Sequence, residues 1–142
     1  MNTDDVQQKL ALLPEGLVEE NIQSWQHVVN MCEFYFAHGG DTRWHILIDL
    51  IQKLSESKQI KLYMGGLSLN VLMTSTKEEY GLEKGDAYFY VYVQDIDIAE
   101  VGYRAANTQK AEIFKCKNDE LFIKTQPLLD RLWNETRGKK NA

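Results

Sequence analysis

Apolar residues recur along the first part of the chain at the three-and-four spacing of amphipathic helices. The clearest run is Val18, Ile22, Trp25, Val29, Cys32 and Phe36, which fall within about 40° of one line on a helical wheel. Gly39 follows where a left-handed C-cap belongs, with His38 in the last turn. A shorter helix is predicted from Thr3 to Leu13. Thr3 caps it, Asp4 and Asp5 suit its positive end, and Val6, Leu10 and Leu13 share a face before Pro14 and Gly16 break it. With Asp41 or Thr42 as cap, a third helix runs to Ser57. Trp44, Leu47, Ile48, Ile51 and Leu54 form its core stripe, and His45, Asp49, Gln52 and Glu56 its polar side. The short Gly39-Gly40 link predicts that the second and third helices pack as a hairpin.

Beyond Lys58 the pattern turns strand-like. Ile60–Met64 and Leu67–Thr76 flank Gly65-Gly66, which predicts a tight hairpin turn at the two glycines. Lys77–Asp86 reads as a polar loop, and Ala87–Asp95 as the strongest strand. Val101–Ala106 reads as extended, with a helical turn over Ala99–Ala106 as the alternative. Ala111–Lys117 and Leu121–Thr125 predict a second hairpin around Asn118-Asp119. Pro127 opens a last helix bearing Leu128, Leu129, Leu132 and Trp133. Residues 1–142 thus read as one domain: helical over 3–57, sheet over 59–125, a helix over 127–137 and a frayed tail from 138. The expected class is α+β, with N-terminal helical segments on one face of a mostly antiparallel four- to six-stranded sheet and a closing C-terminal helix.

A chain of 142 residues can build a core without a metal or disulfide staple. Its 21 acidic against 16 basic residues, a formal charge of −5, argue against a nucleic-acid surface and leave a basic protein partner open. No run of 18 apolar residues occurs, so no membrane span is expected. The polar, acidic start is the wrong chemistry for a signal peptide. Cys32 and Cys116 stand far apart, outside any CxxC pair, as expected of reduced thiols in a cytoplasmic protein.

Candidate chemistry is sparse. His38, His45 and Asp49 could contribute to a metal site, but capping and a solvated i,i+4 pair explain them, and no HExxH or CxxC spacing occurs. Asp95 and Asp97 alternate along an extended segment with Glu100 close behind, an arrangement that can hold a cation or divide acid and base roles. Gly65-Gly66-Leu67-Ser68 is followed by Asn70, so it matches neither a nucleophile elbow nor a phosphate loop. Cys32 sits on the core stripe. No catalytic residue, metal or cofactor is therefore expected, and the balance leans away from an enzyme.

Two surface patterns carry more information. His27, Met31, Phe34 and His38 lie opposite the core stripe of the second helix, where Met31 and Phe34 need cover from a second layer or a partner. Tyr88, Tyr90 and Tyr92 project to one face of the central strand, and Phe89, Val91 and Val93 to the other. The tyrosine face is either a stabilising ladder or the amphipathic surface of an interface or pocket. These patterns point first to a non-catalytic, acidic protein-binding module, of the physical form expected for an inhibitor or immunity protein that neutralises a basic toxin or nuclease. Its partner-binding residues would be Tyr88, Tyr90, Tyr92, Asp95, Asp97, Glu100, Met31 and Phe34, with Glu78, Glu79 and Glu83 adding charge. The alternatives are a small-ligand pocket domain or enzyme, its layout loosely similar to cone-shaped NTF2-like folds, and a structural homodimer.

Overall fold

The computed structural model of the chain describes residues 3–76, 86–108 and 110–137. Within them lie α1 (Thr3–Ala11), α2 (Leu17–Gly39), α3 (Arg43–Glu56), a 3-10 turn (Gln59–Leu62), β1 (Met64–Ser68), β2 (Val71–Ser75), β3 (Tyr88–Val93), β4 (Ile98–Arg104), β5 (Glu112–Lys117), a second 3-10 turn (Asn118–Glu120) and α4 (Leu121–Glu135). Each strand pairs antiparallel with its neighbour in sequence, giving one five-stranded sheet in the order β1-β2-β3-β4-β5. The α+β architecture read from the sequence is present. The acidic connector residues Glu78, Glu79 and Glu83 and the tail from Gly138 lie outside the described residues.

The alternation along β3 sets the layers. Phe89, Val91 and Val93 are buried with Leu72, Ala99, Val101 and Tyr103 against Trp25, Val28, Leu47, Ile51, Leu54, Leu129, Leu132 and Trp133 from the helices. The stripe of α3 is buried where its periodicity placed it, with Leu50 added and Trp44 half-buried.

On α2 the buried line is Leu17, Asn21, Ser24, Trp25, Val28 and Cys32, rotated from the apolar stripe so that Ile22 is exposed. Hydrogen bonding accounts for the rotation. Asn21 Nδ2 donates to Lys61 O (2.8 Å), the backbone N–H of Gly65 donates to Ser24 Oγ (2.9 Å), and Trp25 Nε1 donates to Ile60 O (3.1 Å) and Tyr63 O (2.9 Å). These side chains satisfy backbone groups of the 3-10 turn and of the outer edge of β1, so two polar residues are buried profitably.

The same contact relocates the first hairpin turn. Gly65 and Gly66 lie inside β1, and the two-residue loop is Leu69-Asn70. A Cβ on Gly65 would stand 2.7 Å from the Trp25 ring, so this glycine is required for close approach rather than for turning. Leu69 therefore adopts φ 55°, a conformation costly for a branched L-residue, while its side chain is 90% exposed. Leu69→Asn should raise the free energy of unfolding by roughly 1 kcal/mol, because Asn tolerates the left-handed region and no burial is lost. Urea denaturation of the two proteins checks it.

The last strand and helix also differ from expectation. Residues after Lys117 do not form a hairpin strand. Glu120 Oε1 accepts the Lys117 backbone N–H, and the chain enters α4 at Leu121, so Pro127 is an exposed interior residue instead of the first one. Leu121 and Thr125 extend the buried stripe of Leu129 and Leu132 backwards by two turns, and Thr125 Oγ1 returns a hydrogen bond to Leu121 O (2.7 Å). Gly40, with φ 68°, is the left-handed C-cap of α2, one residue beyond Gly39.

Candidate functional site

The up-and-down order of the strands puts the β1–β2 turn (Leu69-Asn70) and the β3–β4 turn (residues 94–97) at one end of the sheet. The α2–α3 hairpin reaches the same end. Arg43 Nη1 donates to Gln94 O (3.2 Å), and Asp41, Arg43, Trp44 and Leu47 face Asn70 and Val93 across a cleft of about 30 Å³. That space has room for water and not for a substrate.

Four large apolar side chains are left in solvent here: Leu69 (90% exposed), Ile96 (68%), Phe34 (55%) and Tyr35 (37%). They belong to one surface. Phe34 meets Tyr35 edge-on at 5.7 Å, Tyr35 stacks on Trp44 at 5.0 Å, Trp44 lines the cleft with Asn70, and Ile96 lines a shallow depression with Asp41 and Arg43. Phe34 also stacks on His38, whose Nδ1 lies 2.8 Å from Phe34 O. α1, the intramolecular cover considered for Met31 and Phe34, lies against the Gln59–Leu62 turn; Met31 is half-buried and Phe34 remains open.

Charge frames this surface. Arg43 is held by Asp41 through Nε and Nη2, with Nη2 2.6 Å from Oδ2, which lowers the Asp41 carboxyl below its usual range. Asp95 and Asp97 flank Ile96 and are both exposed. They do not project from an extended strand as the sequence suggested. Asp95 Oδ1 accepts the backbone N–H groups of Asp97 (2.8 Å) and Ile98 (2.9 Å), so the carboxylate closes the turn. Those two hydrogen bonds lower its pKa first, ahead of any charge. A carboxyl depressed in the folded state stabilises the fold above its unfolded value, near pH 4, and loses that contribution as pH falls through the folded value. Asp95→Asn keeps the acceptor and removes the titration. Its denaturation midpoint should therefore fall less steeply than the wild type's between about pH 4 and pH 2, a comparison that pH-resolved urea melts would make.

The tyrosines occupy the sheet face away from the helices. A row runs Gly66–Met73–Tyr90–Gly102–Ile113 across it, and a second runs Ser68–Val71–Tyr92–Glu100–Lys115. Tyr90 lies flat over Gly102, where an added Cβ would stand 2.2 Å from its ring, and its hydroxyl donates to Glu100 Oε2 (2.8 Å). Burial, then that carboxylate, push the Tyr90 phenol up to about 12. Arg104 sits over the Tyr88 ring at 6.0 Å. Tyr88, Tyr90 and Glu100 thus serve one another, while a space enclosed between sheet and helices would be lined by Phe89, Val91 and Val93, which is filled core.

Nucleophile and metal chemistry find little support. Burial raises the Cys32 thiol to about 11 and also raises Cys116, so both are protonated at neutral pH. Among the described residues, no group of three or more His, Cys, Asp or Glu could hold a metal ion. No described helix is long and apolar enough to cross a membrane.

Compared with protein-family models, curated proteins and solved structures, the chain matches none of them.

The structure brings Phe34 to the same end as Asp95 and Asp97, and keeps Tyr88 and Tyr90 in the middle of the opposite sheet face. Leu69, Ile96, Tyr35 and Arg43 were missed from the sequence. One signal was available: Asp95-Ile96-Asp97 places a large apolar residue at the tip of an otherwise polar turn.

Proposed function

We propose that this chain is a non-catalytic protein-binding module that docks a basic protein through the turn-bearing end of its sheet. The observation that supports this reading most is the gathering of Leu69, Ile96, Phe34 and Tyr35, all exposed, onto one end. Single apolar side chains in solvent are ordinary; four on one end, two of them at turn tips and one on a strained backbone, are not. Ile96 and Leu69 are the apolar anchors, Phe34 and Tyr35 extend the contact, and Asp95 and Asp97 supply the charge that attracts a basic surface. The net charge of −5 favours the same partner over a nucleic acid. Inhibition of a basic toxin or nuclease is the specific form this function takes: an acidic module that covers a basic active surface excludes an anionic substrate from it. Tyr92, at the near end of β3, borders the contact; Tyr88 and Tyr90 stabilise the sheet.

The experiment is capture from native extract by the wild type and by Ile96→Glu in parallel. A stoichiometric basic protein held by the wild type, released as salt rises and absent from Ile96→Glu supports the reading. A partner retained equally by both proteins removes the turn-bearing end from consideration.

A further inference from the structure

A second cleft, of about 230 Å³, opens between α3 and the start of α4. Its walls are Ile46, Leu50, Leu121 and Phe122, and its polar groups are Asp49, Lys53, Asn118 and Asp119. The volume falls below the range of sites for drug-sized molecules, so an occupant would have about ten non-hydrogen atoms.

The polar groups are unspent. Asp49 and Lys53 stand one helical turn apart, yet no ion pair joins them, and none engages Asp119. Asn118 is more telling. Its backbone N–H donates to Asp97 O (2.8 Å) and its Nδ2 to Asp95 O (2.9 Å), which fixes the orientation of the amide, since the flipped group would set oxygen against oxygen. Its Oδ1 is consequently enclosed in the protein with no donor to meet it. A buried acceptor left without a partner is costly unless a ligand supplies the missing N–H.

We propose that this cleft binds a small zwitterion with an apolar body, the chemistry of an aliphatic or aromatic α-amino acid. Asn118 Oδ1 and the carboxylates of Asp49 and Asp119 take the ammonium, Lys53 takes the carboxylate, and Ile46, Leu50, Leu121 and Phe122 enclose the side chain. This assignment uses every polar group in the cleft and leaves no charge uncompensated. It is independent of the docking surface, which lies beyond the Asn118–Asp95 hydrogen bond.

The test is an amide-resolved NMR titration of the whole chain with L-leucine, with isoamylamine (the same carbon skeleton without the carboxylate) and with 4-methylvalerate (without the ammonium). L-leucine should give saturable shifts at Asp49, Lys53, Asn118 and Asp119, and each analogue should bind about tenfold more weakly or worse. Lys53→Met, at an exposed position that leaves folding intact, should weaken L-leucine by about tenfold while leaving isoamylamine unchanged. Asp119→Asn should weaken L-leucine and isoamylamine and spare 4-methylvalerate. No saturable shift up to the solubility of L-leucine would overturn the proposal. So would equal binding of all three compounds, or an L-leucine affinity indifferent to Lys53→Met.

Discussion

Replacing Trp25 with alanine is expected to lower the free energy of unfolding by about 3–5 kcal/mol, a large share of what a domain of this size has. The indole is 4% exposed and packs flat against Gly65 of β1. Its Nε1–H is shared between the carbonyls of Ile60 and Tyr63, so removal opens a cavity and leaves two buried acceptors without their donor. Trp25→Phe separates the two causes. Keeping most of the bulk while losing the N–H should cost about 1–2 kcal/mol. Gly65→Ala should cost about 1–3 kcal/mol alone, because the new methyl must push the ring aside. In the Trp25→Ala background the same change should be nearly free, a coupling that a double-mutant cycle by urea denaturation would reveal. Additive effects would mean that the ring and the glycine do not meet.

Charge and anchor at the turn-bearing end should separate kinetically. Ile96→Glu should weaken the captured basic partner by about thirtyfold or more, the loss expected of a central anchor. Ile96 is 68% exposed in the free chain, so its stability should change by no more than about 0.5 kcal/mol. Asp97→Lys should act on encounter. The Asp97 carboxylate is exposed and the turn is closed by Asp95, so reversing its charge should slow association by about tenfold at low salt and matter little at high salt. Surface-plasmon kinetics at two ionic strengths would resolve both effects. Leu69→Asn joins the two levels: it should stabilise the fold while weakening the partner, the pattern expected where strain is kept for function.

Legibility followed the kind of interaction. The stripe of α3 and the alternation of β3 were read correctly because one face of each meets an apolar layer, and the period alone then decides burial. The face of α2 was misread because Asn21 and Ser24 are buried for their hydrogen bonds to the 3-10 turn and β1, contacts roughly forty residues distant in sequence that periodicity does not encode. Gly65-Gly66 carried a turn signal, but the demand for space under Trp25 governs the site, and the turn fell to Leu69-Asn70 at the expense of strain. Asn118-Asp119 likewise suggested a hairpin, whereas the Leu121–Thr125–Leu129 spacing already pointed to a helix. At the candidate site, Asp95, Asp97 and Phe34 were legible as unusual residues. Their common location was not, because it depends on the strand order that brings two turns and a helical hairpin to one end.

Hydroxyl-radical footprinting of the chain, free and saturated with its captured partner, tests the location of the interface most directly. Leu69, Ile96, Phe34 and Tyr35 should lose most of their oxidation in the complex, while Tyr88, Tyr90 and Ile113 on the open sheet face should keep theirs. Protection of the tyrosine row with Leu69 and Ile96 still oxidised would contradict the account and move the interface to the sheet face.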